Sequence, residues 1–169
     1  HDGMAAFNAG PSRYRLVRNH EVNGPGPAFG NAAKAYDPMA QGGTTTLEVN
    51  RHAAKVESWV SCNGTQMNCA GGGTPWGSWL TCEEAPTGPG QRYGDGLEQN
   101  HGWTFEVPAG APGLVDPVPL KAMGRFNHEA ACVDPATGQH QLHRALLAHH
   151  ARQPRVRLDP RLQLPAGRG

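Results

Sequence analysis

Gly42-Gly43-Thr44-Thr45-Thr46-Leu47-Glu48-Val49, the polar corner Asn50-Arg51-His52, and the run from Lys55 to Ser61 decide the fold of this chain. Both runs are β-prone, and the corner between them is short. The stretch is therefore expected to be an antiparallel hairpin with Asn50-Arg51-His52 at its tip. Working outward, Tyr14 to Val17, Trp79 to Cys82 and Trp103 to Val107 are further short strand candidates, the last stopped by Pro108. Asn23-Gly24-Pro25-Gly26-Pro27 and Pro86 to Gly94 mark loops, and Gly71-Gly72-Gly73 precedes the Trp79 run. Asp134-Pro135-Ala136-Thr137-Gly138 is a turn of the kind that joins two strands of a meander. No segment of residues 1–139 sustains a helical apolar period. Many short strands at fairly even spacing predict an all-β chain, as a sandwich, a barrel or propeller blades.

The composition fits that reading. Aromatics make up 7% of 169 residues and the mean hydropathy is −0.58, so the core is expected to be thin. The 23 glycines and 15 prolines fall at turn-like places between strand-like runs, which favours a loop-rich β protein over disorder. No run of eighteen apolar residues exists, so no helical membrane span is expected. Four cysteines at irregular spacing, none in a CxxC pair, argue against a zinc ribbon and against a disulfide framework. The chain begins at His1 without an initiator Met and is expected to be a processed product or a fragment.

Three strings carry the chemistry. Asn19-His20-Glu21 and Asn127-His128-Glu129 are two copies of one motif, each at the end of a β-prone or apolar run. Between them stands Thr74-Pro75-Trp76-Gly77-Ser78-Trp79-Leu80-Thr81-Cys82-Glu83-Glu84. On a regular strand Cys82 and Glu84 share a face while Glu83 points to the other. A thiolate beside carboxylates suits a transition metal, and the harder oxygens suit calcium. Read alone, the same string is more readily a buried structural cysteine followed by two surface acids. In each Asn-His-Glu the amide can donate to a phosphoryl oxygen and the carboxylate can bind a metal. The imidazole can be a ligand, a general acid or a packed residue behind the site. His1-Asp2 offers one more ligand pair. The glycine runs do not lead into helices, so they are not phosphate loops, and no Gly-x-Ser-x-Gly elbow appears. Asn63-Gly64-Thr65 fits the glycosylation pattern but reads as an ordinary turn. Basic residues of 1–139 are scattered, so nucleic acid is not an expected partner.

The strings His1-Asp2-Gly3-Met4, Leu16-Val17-Arg18-Asn19-His20-Glu21, Asn68-Cys69-Ala70-Gly71-Gly72 and Thr74 to Glu84 resemble the PhoX-type alkaline phosphatases. So do His101-Gly102-Trp103 and Lys121-Ala122-Met123-Gly124-Arg125-Phe126-Asn127-His128-Glu129. They follow the order of that family and cover most of residues 1–139. The resemblance implies an incomplete β-propeller of two to three blades and hydrolysis of small phosphate monoesters with iron (Fe3+) and calcium. It implies a periplasmic or secreted protein. It maps the iron-binding cysteine onto Cys82, metal-binding glutamates onto Glu21, Glu83, Glu84 and Glu129, and phosphate-orienting amides onto Asn19 and Asn127.

The chain departs from the family after Gly138. Residues 1–139 carry 9 Lys and Arg against 13 Asp and Glu, whereas 140–169 carry 6 Arg against one acid. Residues 1–139 are therefore expected to be a partial phosphatase propeller, and 140–169 a basic tail, unstructured or read in a shifted frame. Such a partial chain is expected to be weakly active and prone to aggregate through open strand edges. Two other readings stay open. One is a calcium-dependent propeller lactonase or esterase, which has no use for Cys82, and the other a non-enzymatic calcium-binding propeller module.

Overall fold

The computed structural model describes residues 1–144, so the tail expected over 140–169 lies outside the described residues from position 145 onward. The described chain is all-β, and its only helical turns are two 3-10 segments, Ala32–Lys34 and Lys121–Met123. None of its helices is long and apolar enough to cross a membrane. Nine antiparallel strands form three sheets. The first holds β1 (Met4–Asn8), β2 (Arg13–His20), β3 (Gly42–Asn50) and β4 (Lys55–Thr65), in that order. The second holds β5 (Asn68–Gly73), β6 (Ser78–Glu83) and β7 (Thr104–Pro108), and the third holds β8 (His128–Val133) and β9 (His140–Arg144).

The β3–β4 hairpin forms as expected, with Leu47 opposite Ser58 and Thr46 opposite Trp59. Its tip is closed by the Asn50 side chain, which accepts from the backbone of His52 and Ala54 while Ala53 takes a left-handed φ of 59°. Asn63, which matches the glycosylation pattern, is fully buried. Its amide donates to the carbonyls of Phe29 and Asn31, so it is a bracket for the loop before β3.

Two apolar clusters hold the layers together. Val17 and Cys62 from the first sheet meet Trp79, Val107 and Ala109 from the second. Leu80 and Cys82, on the opposite face of β6, meet Met123, Ala131 and Val133. Alternation along β6 thus feeds two cores, and every residue from Ser78 to Glu83 is buried. A strand buried on both faces is the centre of a layered stack.

Three differences from the sequence reading arise from close backbone packing at one place and from turns at two others. The glycines at 71–73, read only as preceding the Trp79 strand, lie inside β5. A Cβ on Gly72 would stand 1.9 Å from the Ala131 carbonyl oxygen, so only glycine lets β5 and β8 approach. The second Asn-His-Glu does not end a strand. It opens β8, because Gly124 at φ 82° closes the preceding 3-10 turn. Finally, the Asp134–Gly138 turn returns the chain into β9, so five residues assigned to the tail pair with β8, Cys132 opposite Gln141.

Candidate functional site

Antiparallel pairing brings the end of β2, the starts of β1, β5 and β8, and the end of β6 to the same end of the stack. Chain segments that carry the sequence motifs therefore converge there. Gly3 sets the first. Its N–H donates to the Cys69 carbonyl at 2.8 Å and its carbonyl accepts from Asn19 at 2.9 Å. A Cβ on Gly3 would lie 2.8 Å from Ala70 Cα, so Asp2 is delivered to this corner by a glycine.

Asn19 is the hub beneath the site. It is fully buried, and its amide donates to the carbonyls of Cys69 (3.2 Å) and Ala70 (2.9 Å). Its Oδ1 accepts from Trp79 Nε1 (2.8 Å) and Thr81 Oγ1 (2.9 Å). The hydrogen-bonding capacity of the side chain is thus spent on joining the first and second sheets. Asn127 sits half-buried before β8.

Above Asn19 lies a patch of acids and one thiol. Glu21 is exposed and Glu84 half-buried. Burial, then contact with the Asp2 carboxyl, then the charges of Asp2 and Glu84 raise the pKa of Glu21. Cys69 faces the same carboxylates. Burial first, and then the charge of Glu84, push its thiol up to about 12, with Asp2 adding to the shift. The Cys69 thiol donates to the Glu129 carbonyl at 3.5 Å, which brings the start of β8 to the patch. The Glu129 side chain is exposed.

The remaining two predicted residues sit elsewhere. Cys82 lies in the apolar cluster with Leu80, Met123, Ala131 and Val133, and its sulfur is 3.7 Å from Thr104 Oγ1. Burial there pushes its thiol up to about 12. Glu83 turns inward and is fully buried. Its Oε1 accepts from Gln66 N–H (2.8 Å) and meets His101 Nδ1 (2.7 Å), while Oε2 accepts from the N–H groups of Gly102 (2.7 Å) and Trp103 (2.9 Å). His101 Nε2 in turn meets Asp37 Oδ2 at 3.2 Å, and all three side chains have no solvent exposure. Burial opposes charge on His101, but the carboxylates of Glu83 and Asp37 overcome it and raise its pKa. Burial likewise opposes charge on Asp37, and bonds from Met39, Gln99, His101 and Glu98 overcome it and lower its pKa. This Glu83–His101–Asp37 bridge ties the end of β6 to the segments before β3 and β7.

The sequence reading missed three of these residues in their roles. Cys69 stood in the Asn68-Cys69-Ala70 string without an assigned role, and only its distance in space from Glu84 distinguishes it from Cys82. Asp37 precedes Pro38 and accepts from Met39 N–H at 2.8 Å, an Asx turn that sequence alone can flag. His101 was visible in His101-Gly102-Trp103, but its two carboxylate partners come from 18 and 64 residues away.

Asp2, Glu21, Glu84 and Cys69 are a donor set of hard oxygens and one soft sulfur, and the repulsion among the three carboxylates is what a cation relieves. In the arrangement described, no three His, Cys, Asp or Glu side chains among the described residues stand close enough to share one ion. The donors fit a metal in their chemistry.

The family model described as Alkaline phosphatase PhoX matches residues 52–142, which include Cys69, Cys82, Glu83, Glu84, Asn127 and Glu129. No curated protein and no solved structure matches the chain. The match spans more than half of the 169 residues and agrees with the motif order that precedes it, so this chain belongs to the PhoX alkaline phosphatase family.

Proposed function

We propose that this chain is a segment of a metal-dependent phosphomonoesterase built on a β-propeller, with its three stacked sheets as parts of successive blades. The observation that carries the reading is the convergence of Asp2, Glu21, Cys69 and Glu84, from four strand ends and two sheets, on one corner. Iron and calcium are the cations of this reading. Cys69 and Glu84 would hold the softer ion, and Glu21 with Asp2 the harder one. When bound, such cations neutralise the non-bridging oxygens of a phosphate ester and supply an activated oxygen nucleophile. The chain's own residues do the rest. Asn19 and the Glu83–His101–Asp37 bridge hold the strand ends in place, Asn127 and Glu129 offer a donor and a carboxylate at the rim, and Gly3 delivers Asp2. Small phosphate esters are the substrates of this reading and the periplasm or exterior its place of action.

Cys69 replaces Cys82 as the sulfur ligand in this proposal, because Cys82 is enclosed by apolar side chains. The test is iron content together with p-nitrophenyl phosphate turnover in Cys69→Ser and Cys82→Ser. Loss of both in Cys69→Ser alone supports the assignment. Loss in Cys82→Ser alone sinks it, and turnover that needs no metal in any variant sinks the phosphatase reading itself.

A further inference from the structure

The turn between β4 and β5 consists of Gln66 and Met67, and it makes three backbone contacts to glutamate-bearing strand ends. Met67 N–H donates to the Val22 carbonyl at 3.0 Å, one residue beyond Glu21. The Met67 carbonyl accepts from the N–H of Glu84, also at 3.0 Å. Gln66 N–H donates to Glu83 Oε1 at 2.8 Å. One residue thus ties the end of β2 to the end of β6, bonding Glu84 itself and Val22, the residue next to Glu21.

That tie carries two local costs. Met67 has φ 45°, in the left-handed region that a Cβ-bearing residue disfavours. The adjacent Gln66 side chain is fully buried, and neither its Oε1 nor its Nε2 has a hydrogen-bond partner among the described residues. A turn free to relax would shed both. Outliers of this kind persist where surrounding structure over-determines them, and they gather at functional sites.

We propose that Met67 is a positioning residue, whose left-handed backbone fixes the separation of Glu21 and Glu84 and so sets the affinity of the patch for a cation. This rests on the reading of the patch as a metal site. Met67→Ile puts a β-branched side chain where φ is positive and drives the peptide out of that conformation. Met67→Asn tolerates positive φ and is the rescuing variant.

Backbone amide exchange in the metal-free chain and calcium titration by calorimetry test the idea together. Met67→Ile should lose protection at the Met67 and Glu84 amides, keep it at Thr46, and bind calcium about tenfold more weakly. Met67→Asn should restore both readouts. Lost protection with unchanged calcium affinity overturns the proposal, since the turn would then be merely structural. Retained protection in Met67→Ile also overturns it. If Glu84→Gln binds calcium as well as the parent chain, the metal reading of the patch fails, and the exchange pattern alone then decides whether Met67 ties the strand ends. Should Met67→Ile not fold, the parent chain serves instead. Saturating calcium should then slow exchange at Met67 and Glu84 but not at Thr46, and equal rates overturn the proposal.

Discussion

The two Asn-His-Glu copies are identical in sequence and opposite in use. The first closes β2, and its asparagine goes inward to four hydrogen bonds while His20 stays half-buried. The second opens β8, and its histidine goes inward instead, stacked at 3.8 Å on Phe126, with Asn127 half-buried. Only the glutamates agree, both being exposed at the same end of the stack. A three-residue motif therefore fixes which groups are present, while the phase of the strand fixes which of them faces the core. Repetition in sequence is not equivalence in space.

The comparison breaks most sharply at the asparagines. Asn19→Ala leaves a buried and a half-buried carbonyl, an indole N–H and a hydroxyl without their partner, and should lower the unfolding free energy by about 3–5 kcal/mol. Asn127→Ala should stay within about 1 kcal/mol. Urea unfolding of both variants checks this, and equal losses would mean that the two copies are structurally alike after all.

Next in size is the pH response of the histidines. Burial lowers the pKa of His128, which uses Nε2 to donate to the Gly124 carbonyl at 2.9 Å and keeps a buried Nδ1 with no partner among the described residues. A lowered folded-state pKa means that the neutral form is favoured by folding. The contribution of His128 is complete above its unfolded value, near 6.5, and is lost as pH falls below it. His101 has the reverse sign, since its raised pKa contributes fully below about 6.5 and is lost as pH rises through the folded value. Stability measured from pH 8 to pH 5 should fall for the parent chain relative to His128→Phe. A parallel course for the two would show that His128 is not buried in the neutral form.

The smallest effect separates the glutamates. Glu21→Gln removes a charge crowded by Asp2 and Glu84, so without metal it should be neutral or stabilising by less than about 1 kcal/mol. Glu129→Gln should change stability by less than about 0.5 kcal/mol. Calcium titration sharpens the contrast, because Glu21→Gln should lose affinity and the parent-like stability of both variants excludes unfolding as the cause.

Much of the fold was legible in residues 1–139 because its strands carry local signals. The Thr44–Val49 run, the Asn50-Arg51-His52 corner and the Lys55–Ser61 run became β3 and β4 with the expected tip. Trp103 to Val107 became β7 nearly as read. What escaped was β5, since Asn68–Gly73 is half glycine and has strand form only because β6 and β8 press upon it. Of the site, Glu21 and Glu84 reach one patch, with Glu129 touching it through its carbonyl. Glu83 and Cys82, adjacent to Glu84, lie in a buried hydrogen-bond bridge and in an apolar cluster respectively.

Sequence by itself determined the class of this protein: short β-prone runs between glycine and proline turns, the inventory of amides, carboxylates and thiols, and the family to which their order belongs. Tertiary structure alone decided which of four cysteines faces carboxylates, which asparagine becomes a structural hub, and which glutamate is consumed by His101 and three backbone N–H groups. The physical reason is that those choices depend on strand phase and on partners tens of residues away, and a local string encodes neither.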